Sequence, residues 1–189
     1  DLIGIDLMAD VLKSFVKELS KNDEFQIVAQ EIPLVTKLIK QGYTGRKGKG
    51  GFYRVNKDNN QKVLEAINLE NEKYSPSKKI DLGIDTVNLN SLINRDDKYG
   101  KYAWSVISKI IKYASSLVPG ITDKFNDIDE AMRLGFNWAM GPFEMLKSIG
   151  VKNFFERIDE FKGNKFLENL QKNMNEDFYG ERQIYTDIQ

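Results

Sequence analysis

The stretch from Asp127 to Gly150, DIDEAMRLGFNWAMGPFEMLKSIG, constrains the fold more than any other part of this 189-residue chain. It reads as two short helices joined by an elbow rich in glycine and aromatic residues. Asp127 is placed to cap the first helix, and Glu130 three residues on completes a capping box. Ile128, Ala131, Met132 and Leu134 supply its apolar face, and Gly135 is placed to end it. Gly141 precedes Pro142, and proline at the first helical position gives up no N–H that the helix needs. Phe143, Met145, Leu146 and Ile149 form the apolar face of the second helix, and Gly150 stops it. Each signal is common alone; their order, D-I-D-x-A-M-x-x-G-x-x-x-x-M-G-P-F-E-x-L-x-x-x-G, is not.

Two further segments carry recognisable patterns: Gly45-Arg46-Lys47-Gly48-Lys49-Gly50-Gly51-Phe52-Tyr53 and Asp1-Leu2-Ile3-Gly4-Ile5-Asp6. The elbow resembles the C-terminal helical domain of the NAD-dependent 3-hydroxyacyl-CoA dehydrogenases of fatty acid β-oxidation. The glycine segment resembles the G-[RK]-K-x-G-x-G-F-Y run that closes that domain. The opening hexapeptide resembles the D-x-[IV]-G-[ILV]-D tail that follows the family's G-P-F-E. The likeness is weakest from Asn56 to Asp97.

The resemblance implies a parent enzyme that passes a hydride from a (3S)-hydroxyacyl-CoA to NAD, giving the 3-ketoacyl-CoA. That family takes the hydroxyl proton with a histidine paired to a glutamate, both in its nucleotide-binding domain. This chain contains no histidine, and no strand–G-x-G-x-x-G–helix fingerprint. Gly48-Lys49-Gly50-Gly51 does not substitute for it, because Phe52-Tyr53-Arg54-Val55 reads as extended. The expectation is a fragment that lacks the Rossmann domain, is inactive alone, and has that upstream domain as its partner.

Composition bounds the alternatives. Lysine plus arginine equals aspartate plus glutamate at 28 each, so no global basic field argues for nucleic acid. Cysteine is absent, which removes disulfides and thiolate chemistry and is compatible with a reducing cytoplasm. No apolar run approaches the roughly 18 residues that mark a membrane span. No signal peptide is expected, and the chain opens on Asp1 rather than methionine. Asp127, Asp129 and Glu130 read as helix-start charges rather than metal ligands.

The chain contains an internal repeat. Ile3-Gly4-Ile5 answers to Ile149-Gly150-Val151, and at the same offset Met8 meets Phe154, Leu12 meets Ile158 and Phe15 meets Phe161. Leu34, Leu38 and Ile39 before Phe52-Tyr53 resemble Phe166, Leu167 and Leu170 before Phe178-Tyr179. The fold expected is mostly all-α: tandem helical domains of the C-terminal 3-hydroxyacyl-CoA dehydrogenase type, the first truncated, with minor short β segments. The expected organisation is a truncated first copy over 1–56, a linker over 57–96 and a second copy over 97–189.

Helices are expected over Leu7–Leu19, Pro33–Gln41, Asp97–Val118, Lys152–Phe161 and Lys165–Met174. The long helix carries the stripe Ala103, Val106, Ile107, Ile110, Ala114, Leu117 and Val118. Val63–Leu92 reads as irregular, Asp96-Asp97 as solvated charge, and Phe178-Tyr179 with Ile184-Tyr185 as a small hairpin. Phe136, Trp138 and Phe143 are expected in the core, with Trp138 a candidate contact if partly exposed.

Lys47 is the candidate cofactor-binding residue. Glycines let backbone N–H groups and lysines approach a phosphate, and the family lysine that Lys47 matches lies near the NAD cleft. A solvated turn is the competing reading for Arg46, Lys47 and Lys49. The implied cofactor is NAD, held mainly by the absent domain, with acyl-CoA as substrate. In single-copy relatives two such domains pair between subunits, and tandem copies can pack on each other instead as an intramolecular version of that dimer; the truncated first copy leaves Met8, Leu12 and Phe15 in need of cover, which a homodimer would supply. The second class is a non-catalytic helical protein-interaction module. No nucleic-acid or membrane partner and no metal are expected, and the location expected is cytoplasmic.

Overall fold

The computed structural model describes residues 1–58, 61–79, 88–174 and 178–179. The chain divides into two compact units, Asp1–Asp81 and Leu82–Gln189. Among the described residues helix dominates, and strands are confined to one small sheet.

The first unit holds helices α1 (Ile5–Glu18), α2 (Phe25–Val28) and α3 (Pro33–Lys40), then strands β1 (Tyr53–Asp58), β2 (Gln61–Ile67) and β3 (Tyr74–Pro76). Pro33 opens α3 at a position where its missing N–H costs nothing. The strands form an antiparallel sheet in the order β1-β2-β3, with Arg54 opposite Glu65 and Val55 opposite Leu64. Its core is small: Ile5, Val35 and Leu38, with Ala9, Leu34, Ile39, Tyr43, Phe52 and Ile67 packed around them.

The sheet departs from the irregular segment expected over Val63–Leu92. Its side-chain pattern explains why. Arg54, Asn56 and Glu65 point to the covered face, while Tyr53, Val55 and Leu64 are exposed. Apolar-out alternation hides a strand from a reading that looks for apolar-in alternation. The covered face is held by polar chemistry. Arg54 Nε donates to Glu65 Oε2 at 2.7 Å, Asn56 Nδ2 donates to Glu65 Oε1 at 3.2 Å, and the Arg54 guanidinium lies 4.0 Å from the Tyr74 ring centroid.

The second unit holds α4 (Leu89–Ile93), α5 (Lys98–Ser116), α6 (Phe125–Phe136), α7 (Pro142–Ile149), α8 (Val151–Arg157) and α9 (Lys165–Asn173). Its main core gathers Ile93, Ile111, Leu146, Val151, Phe154 and Leu167, and an aromatic annex holds Phe125, Phe143, Phe166, Phe178 and Tyr179. α4 falls in the remainder of the segment expected to be irregular, capped by Asn88, whose side chain accepts from Ser91 N–H at 3.1 Å.

Local expectations change at several points. Asp97 is the N-cap of α5, accepting from the N–H groups of Tyr99 and Gly100 at 3.0 Å each, and it is paired with Arg95 rather than solvated. The buried stripe of α5 runs through Gly100, Ala103, Ile111, Ala114 and Ser115, while Val106 faces out. Gly100 belongs to that stripe because a side chain there would strike the Arg95 carbonyl.

α6 starts at Phe125, two residues before the expected cap. Asp127 accepts from the Thr122 hydroxyl at 2.9 Å instead. The helix runs past Gly135 to Asn137, which ends it in the left-handed conformation that asparagine tolerates. Ala131 and Leu134 are exposed. Of the three expected core aromatics only Phe143 is buried; Phe136 is 70% exposed and Trp138 is partly exposed. The expected pairing of Phe178-Tyr179 with Ile184-Tyr185 lies outside the described residues.

Candidate functional site

The elbow between α6 and α7 is built around one carboxylate. Gly141 has no side chain with which to cap α7, so the orphan N–H groups at that helix start need another partner. Asp129, one turn inside α6, supplies it. Its Oδ1 accepts from Phe143 N–H at 2.9 Å and its Oδ2 from Glu144 N–H at 3.0 Å. Glu144 reaches back and accepts from Gly141 N–H at 2.8 Å, the reciprocal half of a capping box. Arg133 stands 3.5 Å from the other Glu144 oxygen. The Tyr179 hydroxyl donates to Asp129.

Asp129 is fully buried. Burial pushes its carboxyl above the ordinary carboxylate range, while the Phe143 N–H and the Tyr179 hydroxyl pull it back down. Burial, and then the Asp129 acceptor, raise the Tyr179 phenol. Both Asp129 oxygens are occupied within the fold. The constellation is therefore a clasp that fixes α6, α7 and the Phe178-Tyr179 segment, not an open acid–base pair.

In the first unit the corresponding centre is the glycine loop. The Asp1 carboxylate accepts from Phe52 N–H at 3.0 Å and Tyr53 N–H at 2.7 Å, and the Asp1 carbonyl accepts from Arg46 N–H at 2.9 Å. A Cβ on Gly51 would lie 2.2 Å from Asp1 Oδ1, so only glycine lets the loop close on that carboxylate. Tyr74 donates to the Gly51 carbonyl at 2.5 Å and stacks on Tyr43 with centroids 5.7 Å apart.

Lys47, the residue singled out from the sequence, sits on the outer side of this loop and is about half exposed. Its Nζ lies 2.8 Å from Asp6 Oδ2 on α1. That contact holds the Asp6 carboxyl below its ordinary range. The backbone cradle expected of the glycines does not form, because the N–H groups of Gly45, Arg46, Gly48, Lys49 and Gly51 are donated to carbonyls within the unit. What the loop can offer an anionic cofactor is side-chain charge: Lys47, flanked by the exposed Arg46 and Lys49. That donor set suits a single contact to a phosphate, not the enclosure of a dinucleotide.

Lys47 and the elbow belong to different units and are two separate features. Asp129 as the clasp, Asp1 as the loop anchor and the Arg54–Glu65 pair were not identified as such from the sequence. Asp129 carried one signal: a carboxylate upstream of a glycine at a helix start.

A third feature is a groove of about 440 Å³ between α1 and α3, walled by Met8, Leu12, Val16, Ile32, Val35 and Ile39. Met8 and Phe15, the apolar positions expected to need cover, are 42% and 49% exposed.

Among the described residues no helix is long and apolar enough to cross a membrane. No solved structure matches the chain significantly. The family described as "3-hydroxyacyl-CoA dehydrogenase, C-terminal domain" matches residues 102–183. The chain is 35% identical, over 97% of its length, to the "Putative fatty acid oxidation complex trifunctional enzyme" of Rickettsia felis, and 39% identical over 84% to the protein of the same name in Rickettsia prowazekii. It is 27% identical over 95% of its length to the "Probable 3-hydroxyacyl-CoA dehydrogenase" of Bacillus subtilis. It spans 27%, 22% and 23% of those three proteins, about a quarter of each. With the α6–α7 elbow inside the matched residues and near end-to-end similarity to such proteins, the chain belongs to the 3-hydroxyacyl-CoA dehydrogenase family and carries its C-terminal domain.

Proposed function

We propose that this chain is the helical C-terminal part of an enzyme that oxidises (3S)-hydroxyacyl-CoA to 3-ketoacyl-CoA in fatty acid β-oxidation, in the cytoplasm. NAD, when bound, would accept the hydride. The chain's own residues cover the acyl-CoA, exclude water from the cleft and hold the assembly together. The observation that carries this reading is the near full-length similarity to a segment of much longer β-oxidation proteins. The chain has no histidine to take the hydroxyl proton, so it is inactive alone and works with an upstream nucleotide-binding domain.

Lys47 is the residue of this chain proposed to reach the cofactor. Its exposed ammonium can exchange Asp6 for a phosphate oxygen, and Asp6 keeps it aimed until then. A tyrosine clasp that pins the elbow and a carboxylate that pins the glycine loop support a part built for rigid positioning.

The test is an assay of NADH formed from 3-hydroxybutyryl-CoA. The chain is mixed with the separately expressed upstream region of its parent polypeptide, and each part is also assayed alone. Activity from the mixture and from neither part supports the reading. A Lys47→Ala variant is expected to raise KM for NAD several-fold with kcat little changed. An inactive mixture of folded, associated parts would overturn the reading and favour a non-catalytic helical interaction module, for which the α1–α3 groove is the natural binding face.

A further inference from the structure

The sheet of the first unit has two edges, and they differ. The order β1-β2-β3 leaves β1 and β3 outermost. The Phe52 carbonyl accepts from Ile67 N–H at 2.9 Å, and the Leu64 carbonyl accepts from Ser77 N–H at 2.8 Å. In antiparallel strands successive residues turn their backbone groups to opposite sides. Phe52, Arg54 and Asn56 therefore bond towards β2, whereas Tyr53, Val55 and Lys57 turn their N–H and C=O groups outward. On β3 the outward residues are Tyr74 and Pro76, opposite Ile67 and Glu65. Three residues ending in a proline, which has no N–H, make a poor template for a further strand.

β1 is the open edge. Its first residue is occupied: Tyr53 N–H donates to the Asp1 carboxylate at 2.7 Å, and the Tyr53 carbonyl accepts from Gly51 N–H at 2.8 Å. Among the described residues nothing pairs with the backbone groups of Val55 and Lys57. The outer face beside this edge is apolar and uncovered. Tyr53 is 52% exposed, Val55 56%, and Leu64, opposite Val55, 52%. Lys57 and Lys62 stand opposite each other at the far end of that face, and both are exposed.

We infer that β1 pairs with β1 of a second copy, antiparallel about a two-fold axis at Val55, and joins two three-stranded sheets into one of six. Pattern and charge set the register. With Val55 on the axis, the two Val55 residues exchange two backbone hydrogen bonds. Leu64 and Val55 of one copy then run on into Val55 and Leu64 of the other as one apolar row. Tyr53 lies opposite Lys57 of the second copy, an ammonium beside an aromatic ring, and Arg54 lies opposite Asn56. Moving the axis to Arg54 sets two guanidiniums against each other and asks for the Tyr53 groups that Asp1 and Gly51 already hold. Moving it to Asn56 brings the two Lys57 side chains together with both Lys62 side chains next to them, and like charges so placed are destabilising. The pairing follows from the strand's own register and does not rest on the chemistry of the parent enzyme.

The patch is small. Sedimentation equilibrium of the full chain is therefore expected to show a monomer–dimer equilibrium with a dissociation constant of roughly 0.1–1 mM. The Val55 amide should exchange freely in dilute solution and become protected as the dimer forms, read by hydrogen exchange at two concentrations. Val55→Pro removes the outward N–H and leaves the bonds between β1 and β2 in place, and it should weaken pairing at least about tenfold. Val55→Lys sets two like charges on the axis and should do the same. The Val55 side chain is exposed, so the chain should still fold, as circular dichroism would verify. Leu134→Lys, on the other unit, should leave pairing intact. A chain that stays monomeric throughout that concentration range would overturn the inference. So would a dimer whose Val55 amide stays unprotected, one that survives Val55→Lys, or one that Leu134→Lys dissolves, since the contact would then lie on another surface.

Discussion

Gly141 holds its position through what stands behind it. Its φ of −78° suits any residue, but a Cβ there would lie 2.3 Å from Asp129 Oδ1 and 2.4 Å from Asp129 Cα. A side-chain oxygen can turn aside; a Cα inside a helix cannot. Gly141→Ala should therefore push α6 from α7 and break the two N–H contacts to Asp129. The expected cost is about 1–3 kcal/mol, typical of overpacking a filled site, read as a lower urea midpoint. Gly135 is the internal control. It lies inside α6, and a methyl group there would meet nothing within 4 Å. Gly135→Ala should raise stability by roughly 0.5–1 kcal/mol through helix propensity alone. A Gly141→Ala variant as stable as the parent would show that the clasp does not hold the elbow.

At the scale of elements, Asp97 links the start of α5 to pH. Its carboxyl is held down to about 2 from an ordinary 3.8, chiefly by Arg95 and then by the Gly100 N–H. A lowered folded-state value means the unfolded chain binds the proton more readily. The contribution is therefore fully present above about pH 4 and is lost as pH falls towards 2. The first turn of α5 should loosen over that window. Asp97→Asn retains a capping oxygen but should remove this part of the acid dependence, seen in amide chemical shifts of Tyr99 and Gly100 between pH 4 and 2. An unchanged acid profile in the Asn variant would count against the assignment. Elements also differ in how legible they are from sequence. Gly141-Pro142 and Gly150 bracket α7, and Pro33 opens α3, because these residues act through backbone geometry that few neighbours can override. The stripe of α5 is easily misjudged because Val106 looks like a core residue and Gly100 does not, and only packing against Arg95 decides between them. β1 falls on the Phe52–Val55 segment that reads as extended, while β2 and β3 escape detection because the covered face of the sheet is polar. Lys47 is legible as a charge in a glycine loop. Its pairing with Asp6 depends on how α1 and the loop pack, which local sequence does not encode.

At the scale of the whole molecule, the two units have unequal means of support. Among the described residues the first unit's core rests on Ile5, Val35 and Leu38, while the main cluster of the second gathers nine buried residues, Phe154 and Leu146 among them. A small unit buries too little apolar surface to offset much conformational entropy. The open groove beside α1 subtracts further from what it buries. Local opening follows such differences, because amides exchange through the least stable unit that contains them. Hydrogen exchange should therefore find α1 and α3 at least about tenfold less protected than α5 and α7. Leu38→Ala, expected to cost about 2–5 kcal/mol at a buried site, should release α1 and α3 while leaving α5 and α7 protected. Uniform protection across all four helices, lost together in Leu38→Ala, would instead mean that the chain opens as a single cooperative body, and the small core of the first unit would have to draw its stability from the second.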